Sequence, residues 1–376
     1  MRKKINRKIK RSQNLWKNKI RSGIAQARIF CKENPIIFIG LILFIGFLFL
    51  VQEKRTISIS SSDNLAAQVL NTEARGALSA NVSPISGLAC QDYDRRPIAV
   101  MLANDPVTRP LSGLKDADLV FEMQVVQDSI TRLMAVYVCG NPAEIGSFRS
   151  ARHSFIPLAM GIDAIYAHWG GSHFALDKLN AGIMDNIDAL RNPFSAFYRT
   201  SNIAAPHNGF SSMERLVNSA TKLGYRSENG FEGYEHLSVA ADQRSSTGKQ
   251  TIKIGYAPPY NVEYRYDPEK NSYLRWRGGV PEIDKISGQQ VEAKNVVIMW
   301  AASEELEGQY NNVEVEGGDE ATIYRNGEVG SGTWRKNKKD RESKLYFFDD
   351  EGGEIEFVPG QIWVEIIEPE KTVTWD

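Results

Sequence analysis

The sequence is poor in the residues and motifs that most often carry chemistry. Its 376 positions hold three cysteines and five histidines. There is no His-Glu-x-x-His, and His168 and His173 stand five apart, a spacing that does not place two imidazoles on one helix face. No metal site and no cofactor are expected. Gly-x-x-x-x-Gly-Lys-Ser/Thr and Gly-x-Gly-x-x-Gly are missing, which argues against the common nucleotide-binding loops. Without Gly-x-Ser-x-Gly, a serine hydrolase of the nucleophile-elbow type is not expected either. Acidic residues are scarce in one place only. Residues 1–35 contain a single acid, Glu33, against twelve Lys and Arg, a charge of +11. In a chain of net charge −1 the remainder therefore carries −12. A general nucleic-acid binder needs basic surface on its folded part, and here that part is acidic, so no nucleic-acid partner is expected.

Directly after the basic block comes an uncharged apolar run, Pro35 to Val51. At 1.5 Å per residue, such a helix spans roughly 25 Å, the short end of what crosses a bilayer. A core helix would show a polar face, and this run has none. It continues into Gln52-Glu53-Lys54-Arg55 with no small-x-small cleavage pattern, which disfavours a cleaved signal peptide. The expectation is a basic cytoplasmic tail (1–34), a signal anchor (35–51) in the cytoplasmic membrane, and an extracytoplasmic remainder. Cys31 then lies inside. Cys90 and Cys139 lie outside, where a disulfide between them can persist; two buried thiols are the alternative.

Residues 52–88, rich in Ser, Ala, Asn and Thr, read as a stalk with one short helix near 65–70. Strand and helix patterns then alternate, so residues 89–242 are expected to form an α+β or α/β layered domain. Its strands are placed at 97–103, 118–124, 131–138 and 163–168. Helices are placed after Arg149, after Gly170-Gly171-Ser172, and behind a Ser211-to-Glu214 capping box. Residues 104–110 are a loop. Beyond a linker at 243–248, helical periodicity disappears. Evenly spaced strand runs divided by Gly278-Gly279, Asn326-Gly327 and Gly352-Gly353 predict an all-β domain over 249–370, barrel-like or sandwich-like.

An ordered series of short strings adds to this reading. In the first domain they are Arg96-Pro-Ile-Ala-Val-Met, Arg109-Pro-Leu-Ser-Gly-Leu114, Ala117-Asp-Leu-Val-Phe-Glu122, Ile130-Thr-Arg-Leu-Met-Ala135, Arg149-Ser-Ala-Arg152, His168-Trp-Gly-Gly-Ser172 and Pro206-His-Asn208. In the second they are Ala293-Lys-Asn-Val-Val297, Gly332-Thr-Trp334 and Pro359-Gly-Gln-Ile-Trp363. Over roughly residues 85–368 the chain resembles the YerB-like family of bacterial envelope proteins. The resemblance implies an N-terminal α/β-type part and a C-terminal β part, and it implies no reaction. Many members are lipoproteins, whereas this chain carries an apolar anchor.

The residues themselves point to an anion. Arg149 and Arg152, three apart at an expected helix start, can grip phosphate or carboxylate oxygens together, with Arg132 as a third cation. Gly170, Gly171 and Ser172 sit between strand and helix, where backbone N–H groups favour an anion. Asn208 adds a donor. His168, His207 and Ser172 are the catalytic candidates, for proton transfer or as a nucleophile. Against ligand binding stands salt bridging of the arginines to Asp118 or Glu122. Trp276, Trp300, Trp334 and Trp363 fit a β core better than a sugar platform. Three functions remain open. The first is an envelope protein that binds a phosphate-bearing glycan or peptidoglycan fragment, with envelope proteins as further partners. The second is an enzyme, transferase or hydrolase, on a phosphate-linked polymer, and the third is a scaffold. Convergence of Arg132, Arg149, Arg152, His168 and His207 would separate them.

Overall fold

Every residue of the run Ile98–Leu102 is buried, as an uninterrupted apolar stretch requires when both faces of a strand are covered. This strand, β1, lies inside a ten-stranded sheet. The computed structural model describes residues 81–238 and 250–376, and Leu78–Asp376 pack as one unit. The expected tail, the anchor at 35–51, the stalk up to residue 80 with its helix, and the linker at 243–248 lie outside the described residues. Among the described residues no helix is long and apolar enough to cross a membrane.

From one edge the sheet begins with β19 (Tyr346–Asp349), β18 (Glu328–Lys336), β17 (Gly317–Arg325), β14 (Asn295–Trp300) and β20 (Ile362–Ile367). It continues with β2 (Leu119–Gln124), β3 (Thr131–Tyr137), β1, β5 (Ile165–His168) and β6 (Asn186–Asp188). The join between the two halves is parallel: β2 lies beside β20, from Leu119 opposite Ile362 to Met123 opposite Ile366. The C-terminal strands therefore do not close into a barrel or sandwich of their own. All six residues of β20 are buried, and a strand covered on both faces belongs in the middle of a sheet. A second sheet, of β9 (Thr251–Ile254), β10 (Val262–Asp267), β11 (Ser272–Arg277), β12 (Val280–Pro281), β13 (Glu292–Ala293) and β21 (Val373–Trp375), forms from the rest.

Side chains alternate across β1, which gives the large sheet two apolar faces. Ala99 and Met101 share a core with Ile156, Leu158 and Ala159 of α1 (Ile156–Met160) and Ala175 of α2 (His173–Asn180). Ile98, Val100 and Leu102 share the other core with Tyr264 and Tyr273 of the second sheet and Leu216 of α3 (Met213–Lys222). The fold is mostly strands with few helices. Smaller pieces complete it: β4 (Ile145–Gly146), β7 (Tyr198–Arg199) and β8 (Gly209–Ser211) form a three-stranded sheet, and β15 (Ser303–Leu306) pairs with β16 (Tyr310–Val313).

Local details differ from expectation for identifiable reasons. The cap of α3 is Ser212, which accepts from Arg215 N–H; Ser211 instead donates to the Ala196 carbonyl. Residues 106–108 form one 3-10 turn within the expected loop. The β17–β18 hairpin turns on Asn326 and Gly327, both at positive φ (54° and 73°), as its tight turn demands. Trp334 and Trp363 are core residues, while half-buried Trp276 lies under the Arg265 guanidinium at 4.1 Å. Cys90 and Cys139 are joined by a disulfide, with Cα atoms 5.7 Å apart.

Between the two sheets lies a buried ionic cluster. Glu122 and Glu365 stand directly opposite each other on β2 and β20. Arg275 and Arg277 of β11 reach both them and Glu282: Arg275 pairs with Glu122, Glu282 and Glu365, and Arg277 with Glu122 and Glu282. Three carboxylates face two guanidiniums, so one negative charge is in excess. Burial, and then the neighbouring Glu122, push the Glu365 pKa up to about 7. A carboxyl raised in the folded state adds stability below its unfolded value and loses it as pH rises through the folded one. Melting temperature of the wild type relative to Glu365→Gln is therefore expected to fall between pH about 4.5 and about 7. A difference that stays flat with pH would show that Glu365 holds no proton there.

Candidate functional site

The segment that carries two of the arginines is extended, not helical. Arg149 N–H donates to the Met101 carbonyl (2.9 Å), and its own carbonyl accepts from Trp169 N–H (3.0 Å). Ala151 is held in the same way by the Gly170 carbonyl (2.8 Å) and Ser172 N–H (3.1 Å). Paired on both sides, residues 149–151 cannot begin a helix. Helical geometry starts with a 3-10 turn at His153–Phe155, and α1 follows.

Arg132, the second residue of β3, meets Arg149 and Arg152 beyond the carboxyl end of β1. It is 5% exposed. Burial first, then the positive charges of Arg152 and Arg149, hold its pKa well below the usual guanidinium value. Burial also brings Arg152 down to about 10, and Arg149 adds to the fall. The three cations lie within one another's fields. None is ion-paired among the described residues, and each has a buried Nε without a hydrogen-bond partner. Arg132 donates one bond to the Ser150 carbonyl (2.5 Å) and Arg152 one to the Ala151 carbonyl (3.1 Å). The carboxylates expected as their salt-bridge partners are engaged elsewhere. Glu122 belongs to the buried cluster, and Asp118 accepts from Ser83, Ser86 and the N–H groups of Val138 and Cys139.

His207 joins the cluster. Burial and then Arg149 push its pKa down. Its Nδ1 is 3.8 Å from Asp105 Oδ2, and the Asp105 charge also reaches Arg132 and Tyr260. On the other flank the Arg152 guanidinium lies 5.4 Å from the ring centre of Tyr310.

The remaining sequence candidates are taken up by the fold. His168 is fully buried, with Nδ1 against the Gly170 carbonyl (2.8 Å) and Nε2 against Asn186 Oδ1 (3.3 Å), and it does not reach the arginines. Ser172 Oγ caps α2 by accepting from Ala175 N–H, so it is not placed as a nucleophile. Gly170, at φ 63°, donates its N–H to Asp188, and Gly171 bridges to Ala151. Asn208 donates to the Thr200 carbonyl and accepts from Arg199. Sequence reasoning missed Asp105, Tyr260 and Tyr310. Asp105 sits in a stretch read only as a loop, and the two tyrosines come from the distant half of the chain with no local signal. A cavity of about 720 Å³ opens at the other end of β1, lined by Arg96, Asp163, Asp185 and Arg226 among others. Those four are salt-bridged to one another, unlike the arginine cluster.

A two-part, strand-rich fold with a cluster of arginines, one of them buried, that make no ion pair among the described residues is the class of protein that these features define. Residues 85–226 match the N-terminal domain, and residues 252–364 the C-terminal domain, of the family described as protein of unknown function DUF3048. The chain belongs to this family. It is 29% identical over 291 residues to the Bacillus subtilis (strain 168) protein named "Putative lipoprotein YerB", which covers 76% of this chain and 86% of that protein. The crystal structure of YerB from Bacillus subtilis is similar with a TM-score of 0.69 at 27% identity, covering 78% of this chain and 99% of the other.

Proposed function

We propose that the chain is a membrane-anchored protein of the bacterial envelope that binds an anionic envelope ligand, a phosphate-bearing glycan or peptidoglycan fragment, through Arg132, Arg149 and Arg152. One observation carries the reading: three neighbouring guanidiniums, one of them almost fully buried, make no ion pair among the described residues. Burying a charge without a partner costs several kcal/mol, so such a cluster is stable in company with an anion from solution. Binding is favoured over catalysis because the nucleophile candidate Ser172 caps α2 and His168 is held by the fold, which leaves His207 beside the arginines without a nucleophile candidate to serve. Titration of the full-length protein with inorganic pyrophosphate should show saturable binding that weakens as salt is raised. No saturable binding at low salt would overturn the proposal.

The anchor is the apolar run at 35–51. A lipid-bearing cysteine, as in the relative's name, is not supplied by Cys90, which is in the disulfide. Protease added to intact spheroplasts is expected to digest residues beyond 52 and to spare the first thirty or so. Digestion of the basic tail would reverse the topology.

A further inference from the structure

The arginine cluster has a measurable excess of charge. Among the described residues, three guanidiniums face the single carboxylate that their surroundings bring in, Asp105, and burial and then Arg149 push the His207 pKa down. Two positive charges are left over. A carboxylate or sulfate ester would cancel one of them. A phosphate monoester carries about −1.5 to −2 at neutral pH and offers three terminal oxygens to planar guanidinium forks.

A row of aromatic rings begins where Arg152 ends. Tyr310 of β16, against which the Arg152 guanidinium lies, meets Phe174 edge-on at 5.8 Å and His173 at 5.9 Å. His173 and Phe174 lie against each other at 4.0 Å. His173 is exposed, and Tyr310 and Phe174 are partly exposed. The rim of this row is polar: His173 Nε2 is 3.3 Å from Glu307, and Asn312 faces His153. An apolar ring face with polar groups around it suits a sugar, whose C–H face stacks and whose hydroxyls hydrogen-bond.

Resting on the anion site proposed above, we infer that its ligand is a sugar phosphate, with a terminal phosphate dianion held by Arg132, Arg149 and Arg152 and the sugar ring lying against Tyr310. Calorimetric titration of the full-length protein with four probes tests this: glucose 1-phosphate, inorganic phosphate, glucuronate and glucose. Glucose 1-phosphate is expected to bind about tenfold more tightly than inorganic phosphate, the gain from one aromatic contact, and more tightly still than glucuronate or glucose. Tyr310→Ala should remove that tenfold gain and leave phosphate affinity unchanged, and Tyr310→Phe should restore it. Equal affinity for phosphate and glucose 1-phosphate would overturn the sugar contact and leave the anion site standing. So would an equal loss for both probes in Tyr310→Ala, because Tyr310 would then only support Arg152. Glucuronate binding as tightly as glucose 1-phosphate would overturn the dianion. Failure of both phosphate-bearing probes to bind would overturn this inference and the anion site together.

Discussion

Arg275→Met is expected to lower the free energy of unfolding by about 3–5 kcal/mol, the usual effect of removing one partner from a buried ion cluster. The guanidinium is fully buried, pairs with Glu122, Glu282 and Glu365, donates from Nε to Tyr264 Oη (2.8 Å), and lies 4.0 Å from the Trp363 ring. Without it, three carboxylates face Arg277 alone. Glu365 keeps the Tyr264 hydroxyl (2.6 Å) but no direct ion pair, and Glu282 keeps a 3.4 Å contact with Arg277. Methionine preserves most of the volume, so the loss reports charge and not a cavity. The exposed Lys253–Asp376 pair is the control, and Lys253→Met should cost less than about 1 kcal/mol. Adding Glu365→Met to Arg275→Met removes one charge of each sign and should recover part of the loss, a non-additivity expected of groups in one network. Urea unfolding of the three variants measures all of this. A loss below about 1 kcal/mol for Arg275→Met would show that the cluster does not hold the two sheets together.

The parts of this architecture that were readable are those whose signal is local. The runs at β1, β2, β3, β5 and β20 are apolar at nearly every position, which predicts strands covered on both faces, and the structure covers both. What could not be read depends on pairing between distant segments. Nothing in Leu119–Gln124 announces that Glu122 will stand opposite Glu365, so two isolated acids in apolar strands gave no hint of the buried cluster. For the same reason the C-terminal strands looked like a separate barrel or sandwich, when five of them extend the first sheet. The strand at Glu328–Lys336 contains Gly330, Ser331 and Gly332 and lacks the apolar alternation that marks β10. At the site, residue type alone singled out Arg132, Arg149, Arg152 and His207. Asp105 beside Arg132 and His207, Tyr260 beside Asp105, and Tyr310 beside Arg152 were hidden because these segments meet only in three dimensions. His168 and Ser172 were misleading because a buried hydrogen-bonded histidine and a helix-capping serine look, in sequence, the same as a base and a nucleophile.

Changing both Arg149 and Arg152 to alanine is expected to abolish measurable binding of a phosphorylated ligand and to leave the fold intact. Two charge-assisted contacts are worth about 3–6 kcal/mol together, or roughly two to four decades of affinity. Neither side chain is ion-paired among the described residues, and both depress the pKa of Arg132. Their removal relieves repulsion without orphaning an acid, so the melting temperature should hold or rise slightly. Arg→Lys at either position should also weaken binding, because an ammonium cannot make the planar two-point grip. A purely structural role predicts the opposite pattern. The double variant would then melt earlier, and ligand binding would fail only as the protein unfolds. Melting temperature and pyrophosphate affinity measured on one preparation separate the two outcomes. Unchanged values of both would sink each reading and leave Arg149 and Arg152 as ordinary solvated charges.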